Sequence, residues 1–299
     1  MTGIEQLHPT DLVVADGDLD ASVEAANAAA LAAGVSVRRV TELAEHNAVV
    51  QLFEEIWRPD ANSPMSTELL RALSKSGNYV VGAHDGGKLI GACVGFFSAP
   101  HDGVLHSHIA GVLPSGTGRH VGYALKLHQR AWALQHEIRR IEWTFDPLVA
   151  RNAYFNVVKL GGRPAEYLPN FYGGMRDGIN GIDDTDRLLL HWNLRDSRVV
   201  DACAGSWRAA DVAELGRRGA VVALDRGSNG APVAGSAATA GAAISLVAVP
   251  RDIEALRITD PGPAAEWRAA VREVLGGLLG TGARVTDFAR DGWYVVESA

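Results

Sequence analysis

The sequence predicts a mixed α/β fold built around a largely antiparallel sheet, and three observations carry that prediction. Residues 79–84 and 89–98 read as strands joined by Asp85-Gly86-Gly87, a tight-hairpin signature. A glycine-rich run, Pro114-Ser115-Gly116-Thr117-Gly118, separates a third strand, 104–113, from a long amphipathic helix, 122–137. From residue 140 the pattern becomes strand, helix, strand, strand, so helices interleave with the sheet.

The remaining elements follow from periodicity and punctuation. Residues 36–40 form a short strand, and Ala48, Val49, Leu52, Phe53 and Ile56 recur at helical spacing after it. Pro59 and Pro64 mark a loop, after which Ser66-Thr67-Glu68 caps a helix over 69–73. Beyond the turn at 100–103 and the elements named above come a strand at 140–145, a helix at 150–160, and strands at 165–171 and 187–194. Residues 1–34 hold six acids (Glu5, Asp11, Asp16, Asp18, Asp20, Glu24), no Lys or Arg, and a nearly all-alanine run, and are predicted to be a disordered, solvated tail with at most a transient helix. Residues 35–197 then form the main domain. Residues 198–299 form a small C-terminal α/β subdomain with strands at 220–224, 243–249 and 293–296, a helix at 264–279 and a mobile Gly/Ser/Ala-rich loop at 226–243.

Composition narrows the function classes. Apolar residues are 47% and charged residues 21% of the 299, the balance of a soluble globular protein with a sizeable core. The net charge of −7 argues against a general nucleic-acid binder, and no apolar run is long enough for a membrane helix. The N-terminus lacks the pattern of a secretory signal, and two cysteines, Cys93 and Cys203, make neither a disulfide framework nor a cysteine metal site. A cytoplasmic setting is expected.

The stretch Arg119-His120-Val121-Gly122-Tyr123-Ala124 lies where a strand, a glycine-rich turn and a helix meet. Such a junction offers unpaired amides and the positive end of a helix dipole, an anion site. It ends in no Gly-Lys-Ser/Thr, which excludes a P-loop, and it follows antiparallel strands, which excludes a Rossmann unit. Taken alone, the turn is equally well read as a plain capped turn. Arg119-x-x-Gly122-x-Ala124 resembles the Arg/Gln-x-x-Gly-x-Gly/Ala signature of the GNAT N-acetyltransferases, and the element order over 36–194 is similar to theirs. The run from Asp146 through Leu160-Gly161-Gly162, Asn170-Phe171-Tyr172-Gly173 and Asp186-Arg187 is similar to a GNAT-like subgroup with a C-terminal extension, here Val249-Pro250-Arg251-Asp252 and Trp267-Arg268. The resemblance implies that Arg119, His120, Val121, Gly122, Tyr123 and Ala124 hold the pyrophosphate of acetyl-CoA or another short acyl-CoA. It implies that Ala110, Gly111 and Val112 flank the pantetheine, and that Asn152 and Asn156 lie near the coenzyme chain. Two departures stand out: Arg119 lies five residues after Pro114, two more than in the family, and Val157 occupies the usual position of the catalytic Tyr.

Acyl transfer to an amine needs a base, a polarised carbonyl and a proton for the leaving thiolate. The family's frequent Glu base is absent from 105–111, where His106 and His108 share one strand face by alternation. His108 is the candidate base, its alternative being a structural residue of the sheet. Tyr154 is the candidate acid, with Tyr172 a second; ordinary packing is the other reading of Tyr154, and Asn156 either accepts a pantetheine amide or caps and faces solvent. Asp183, Asp184 and Asp186 would attract a cationic amine or form a solvated loop. Trp57, Trp132, Trp143 and Trp192 read as core, Cys93 lacks a partnered base, and no third ligand joins His106 and His108 at metal-binding spacing. The expected activity is N-acyl transfer from acyl-CoA to a small-molecule or protein amine by direct attack. The alternatives are a non-catalytic acyl-CoA-binding module and another CoA reaction such as decarboxylation. Residues 198–299 are expected to cover the acceptor side of the groove or to form a homodimer.

Overall fold

The computed structural model describes residues 17–58, 63–99, 101–173, 184–235 and 241–299. Asp183 and residues 1–16 lie outside them, as do parts of the loops predicted at 59–64, 100–103 and 226–243. The chain divides into two compact units, one running to Glu142 with Asn193–Arg195, the other holding Trp143–Trp192 and Asp196–Ala299.

The first unit opens with α1 (Gly17–Ala33), β1 (Ser36–Arg39), α2 (Leu43–Trp57) and α3 (Thr67–Lys75). It continues with β2 (Tyr79–Asp85), β3 (Lys88–Phe97), β4 (Val104–Val112), α4 (Val121–Gln135) and the start of β5 (Arg140–Phe145). The strand order is β1-β2-β3-β4-β5. The first three joins are antiparallel and β4–β5 is parallel. Gly86 and Gly87 have φ of 54° and 93°, the left-handed pair that a two-residue hairpin turn requires. Ser66 Oγ accepts the Leu69 amide at 3.2 Å, fixing the start of α3.

Helices cover both faces of this sheet. α2 and α3 close one face over a core that includes Val49, Leu52, Phe53, Leu70, Val80, Ala92 and Val94. α4 covers the other face, and α1 packs along α4. Residues 17–33 are therefore a docked helix rather than part of a disordered tail. The alanines that suggested a featureless segment are strong helix formers, and Ser22, Ala26 and Ala33 form a small-residue stripe that lets α1 approach closely.

The second unit holds the end of β5, then α5 (Ala150–Tyr154) continuing into a π-turn at Phe155–Lys159, β6 (Arg163–Leu168) and β7 (Arg187–Asn193). Here β7 lies between β5 and β6. After α6 (Ser197–Cys203) and α7 (Val212–Arg217) come β8 (Val221–Arg226), β9 (Pro232–Ala234), β10 (Ile244–Ala248) and α8 (Ile253–Thr259). α9 (Pro261–Val271) runs through a second π-turn into α10 (Gly277–Gly280), before β11 (Arg284–Ala289) and β12 (Trp293–Glu297). The five-stranded sheet has the order β11-β12-β10-β8-β9, with β8 and β10 parallel. β9 pairs with β8, so the segment predicted as a mobile loop contains a short edge strand.

The two compact units part after Glu142, with Asn193–Arg195 returning to the first, and buried charge ties residues 143–192 to the C-terminal segment. Asp146, just after β5, accepts both guanidinium nitrogens of Arg268 at 2.9 Å and one of Arg257 at 2.6 Å. Asp186, just before β7, is held by Arg272 at 2.6 and 2.8 Å and by the Tyr167 hydroxyl at 2.7 Å. These pairs bind residues 143–192 to the C-terminal segment. Burial alone would raise the Asp146 pKa, but Arg268 and Arg257 outweigh it and hold the carboxyl far below its usual range. No helix among the described residues is long and apolar enough to cross a membrane.

Asp146→Asn removes the counter-charge of two buried guanidinium groups, so it is expected to destabilise the chain by about 3 to 5 kcal/mol. Denaturant unfolding followed by fluorescence and circular dichroism checks this; an unchanged midpoint would show that the network adds nothing.

Candidate functional site

β4 is the element around which the candidate site is built, and it carries a bulge. Its ladder with β3 pairs Val94 with Ile109 and then Gly95 with Ser107, leaving His108 as the extra residue. Gly95 makes this possible: a Cβ there would lie 2.9 Å from the His106 carbonyl oxygen. The bulge changes which side chains share a face. Ser107 contacts Cys93 and Lys126 on the α4 side, whereas Ile109 packs on the α2/α3 core and Gly111 lies against Ile56 and Trp57. His106 and His108 join that second face, their ring centroids 6.1 Å apart and 5.0 and 5.7 Å from Phe96.

Both imidazoles are biased toward the neutral form. His106, half-buried, is pulled down to about 4 by burial first, then by His108 and Lys126. His108 is exposed by surface area yet crowded enough that partial desolvation lowers its pKa too. A neutral imidazole is the form that accepts a proton.

The far end of β4 and the start of α4 form a cradle of backbone. The parallel ladder with β5 runs Val104↔Arg140, Leu105↔Ile141 and His106↔Glu142, and β4 continues beyond it to Val112. The Leu113 amide bonds the Ile90 carbonyl at 2.9 Å, so strand alternation aims the amides of Ile109 and Gly111 at β3 and those of Ala110 and Val112 at the opposite edge. The chain then turns through Pro114–Gly116, and His120 enters α4 in the left-handed conformation with φ 63°. The His120 carbonyl takes the amides of Tyr123 and Ala124. Among the described residues, the amides of Gly118, His120, Val121 and Gly122 make no hydrogen bond. Val121 and Ala124 are buried, while Gly122 and Tyr123 are partly open. Gly122 faces space: a Cβ there would have only Val112 Cγ2, at 3.9 Å, as a neighbour within 4 Å. Chain packing does not demand a glycine at this position, and an anion approaching the amides would use the gap. Residues and space both fit a diphosphate.

Arg119 takes another course. Its guanidinium bonds Asp85 at 2.7 Å and the carbonyls of Ala33 and Gly34 at 3.2 and 3.4 Å, so the backbone around it, rather than its side chain, is available to a ligand.

Beneath the bulge lies a cluster that sequence patterning passed over. Lys126 is buried and donates to Ser107 Oγ at 2.8 Å and Gln129 Oε1 at 3.1 Å, both neutral. Burial pulls its pKa down to about 8, with Cys93 opposing weakly. Lys126 lies in a helix that reads as amphipathic, and only its packing under Ser107 reveals it. The bulge itself had a signal in the mid-strand Gly95.

In the second unit, Tyr154 on α5 is half-buried, and Arg290 reaches its hydroxyl at 3.3 Å and lies over its ring. Asn152 is exposed, whereas Asn156, four residues on, is buried because the π-turn rotates the chain there. Val157 is buried, its carbonyl taking Arg198 at 3.0 Å. The Tyr172 hydroxyl meets Thr144 at 2.9 Å, and Asp184 and Asp186 are both ion-paired to Arg272, Asp186 buried and Asp184 exposed. Trp132 and Trp192 are buried, Trp192 donating to the Leu160 carbonyl at 2.7 Å. No group of three or more His, Cys, Asp or Glu placed to hold a metal ion occurs among the described residues.

The chain is similar to solved N-acetyltransferases. The ribosomal-protein-S18-alanine N-acetyltransferase of Escherichia coli matches at 13% identity and a TM-score of 0.42, over 54% of this chain and 94% of that one. An acetyltransferase of the GNAT family from Streptococcus pneumoniae matches at 13% identity and 0.43, over 52% and 97%. The yncA protein of Salmonella typhimurium, solved with its cofactor acetyl-CoA, matches at 14% and 0.44, over 60% and 98%. No family model and no curated protein matches the chain.

The lowered pKa of Lys126 sets a sign for stability. The folded chain disfavours the charged amine, so the penalty is full below about pH 8 and fades as pH rises toward the ordinary 10.5. Lys126→Met is expected to flatten the rise in stability between pH 8 and 10.5. Urea melts across that range check this.

Proposed function

We propose that this chain is a GNAT-type acyltransferase that moves an acetyl or other short acyl group from acyl-CoA to an amine. The single observation that carries the reading is the set of unbonded amides at Gly118, His120, Val121 and Gly122, opening α4 beside the outward edge of β4. In this reading those amides take the coenzyme's diphosphate, Gly122 leaves room for it, and the amides of Ala110 and Val112 flank the pantetheine and polarise the acyl carbonyl. Acyl-CoA supplies an activated thioester. Neutral His108 takes the proton of the attacking amine, directly or through water, and Phe96 packs on its ring. Tyr154 is proposed as the donor of the leaving-group proton. The amine acceptor is a small molecule or a protein terminus or side chain.

A second reading, a non-catalytic acyl-CoA-binding module, is favoured by one observation: Val157 stands where the family's acid resides.

Calorimetry with acetyl-CoA and CoA tests the coenzyme site, and Gly122→Glu is expected to abolish binding by filling the gap with a like charge. Failure of the wild type to bind either would remove the proposal. With binding established, His108→Ala is expected to lower kcat about 10²-fold or more against a responsive amine. Because the His108 pKa is lowered from 6.5, the acid limb of the wild-type kcat/KM profile should lie below pH 6.5 and be missing in His108→Ala. Binding without turnover across an amine panel would favour the module.

A further inference from the structure

Arg119 joins three separate parts of the first unit. One guanidinium nitrogen donates to Asp85 Oδ2 at 2.7 Å, on the β2–β3 hairpin. The other donates to the carbonyls of Ala33 and Gly34, the last residue of α1 and its successor. Carbonyls at a helix C-terminus lack intrahelical donors and form the negative end of its dipole, so a guanidinium is the matching partner. The end of α1 is shaped for this contact. Gly34 adopts φ 66°, the Val35 amide bonds the Ala30 carbonyl at 3.0 Å, and a Cβ on Gly34 would approach Arg119 to 3.2 Å. The backbone of the same residue belongs to the cradle: its amide bonds the Gly116 carbonyl at 3.3 Å, between the unbonded amides of Gly118 and His120. α1 also packs along α4, whose first turn completes the cradle.

We infer that Arg119 is a positioning residue that couples the docking of α1 to the shape of the anion cradle, so that coenzyme binding and α1 docking strengthen one another. The inference rests on the reading of the cradle as a CoA site. The Arg119–Asp85 pair is half-exposed, so it contributes little to global stability; its effect is on loop geometry. Linkage makes the coupling reciprocal: the factor by which a docked α1 tightens CoA binding equals the factor by which CoA tightens α1.

The test is hydrogen exchange on the full chain with and without CoA, alongside calorimetric CoA titration of the wild type, Arg119→Gln, Arg119→Lys and Asp85→Asn. CoA is expected to slow exchange across residues 17–34 of the wild type about three- to tenfold. Asp85→Asn and Arg119→Gln should weaken CoA binding by a similar factor, lose the CoA-dependent protection of residues 17–34 and keep the thermal midpoint nearly unchanged. Arg119→Lys should recover part of both effects. Asp85 lies outside the cradle, so its variant separates coupling from damage to the site. Wild type that binds CoA without protecting 17–34, or variants that bind as tightly as wild type, would overturn the inference and leave the coenzyme reading standing. Wild type that binds no CoA would overturn both.

Discussion

The bulge at His108 is the constraint on which the first unit depends. One extra residue in β4 opposite Gly95 shifts the register of every residue after it. Before the bulge, Ser107 faces α4; beyond it, Ile109 and Gly111 face α2. Histidines from one side of the shift and the close helix contact from the other thereby share a surface. Gly95 and Gly111 are both required for this, since a methyl group at either would meet a carbonyl oxygen or the Ile56 and Trp57 side chains within 3 Å.

α4 carries the consequences on the opposite face. Nearly all of it from Ala124 to Leu134 is buried, because the sheet takes one side and α1 packs along it as well. Its polar residues have had to find partners inside: Lys126 on Ser107 and Gln129, His128 on the Tyr79 hydroxyl at 2.9 Å, and Arg130 on the Leu194 carbonyl at 2.8 Å. Buried polar groups tolerated in this way favour a single register of helix against sheet, because sliding would orphan several of them at once. The N-terminus of that fixed helix carries the unbonded amides.

In the second unit order comes from buried charge. Asp146 draws in guanidinium groups from α8 and α9 and Asp186 one from the π-turn that follows, and Asp146 with Arg268 is almost fully enclosed. Breaking one partner would leave a charge without water, which makes the C-terminal segment integral to the fold of residues 143–192.

Local chemistry was enough to read much of this from the sequence. The Asp85-Gly86-Gly87 turn, the Ser66 cap, the alternating strands and the strand–turn–helix junction at 113–122 are short-range features, dictated by backbone preference and hydrophobic period. The free amides at the start of α4 were legible for the same reason: they belong to a helix start. The docking of α1 was not, because an alanine-rich acidic segment carries no strong apolar stripe and becomes ordered only against α4 and Arg119. The destination of the Arg119 guanidinium, the burial of Lys126, the separation of Asn152 from Asn156 by a π-turn and the division at 142/143 were likewise decided by tertiary structure. Each depends on partners between 19 and 122 residues away or on a one-residue shift in register, and neither leaves a periodic trace in the local sequence.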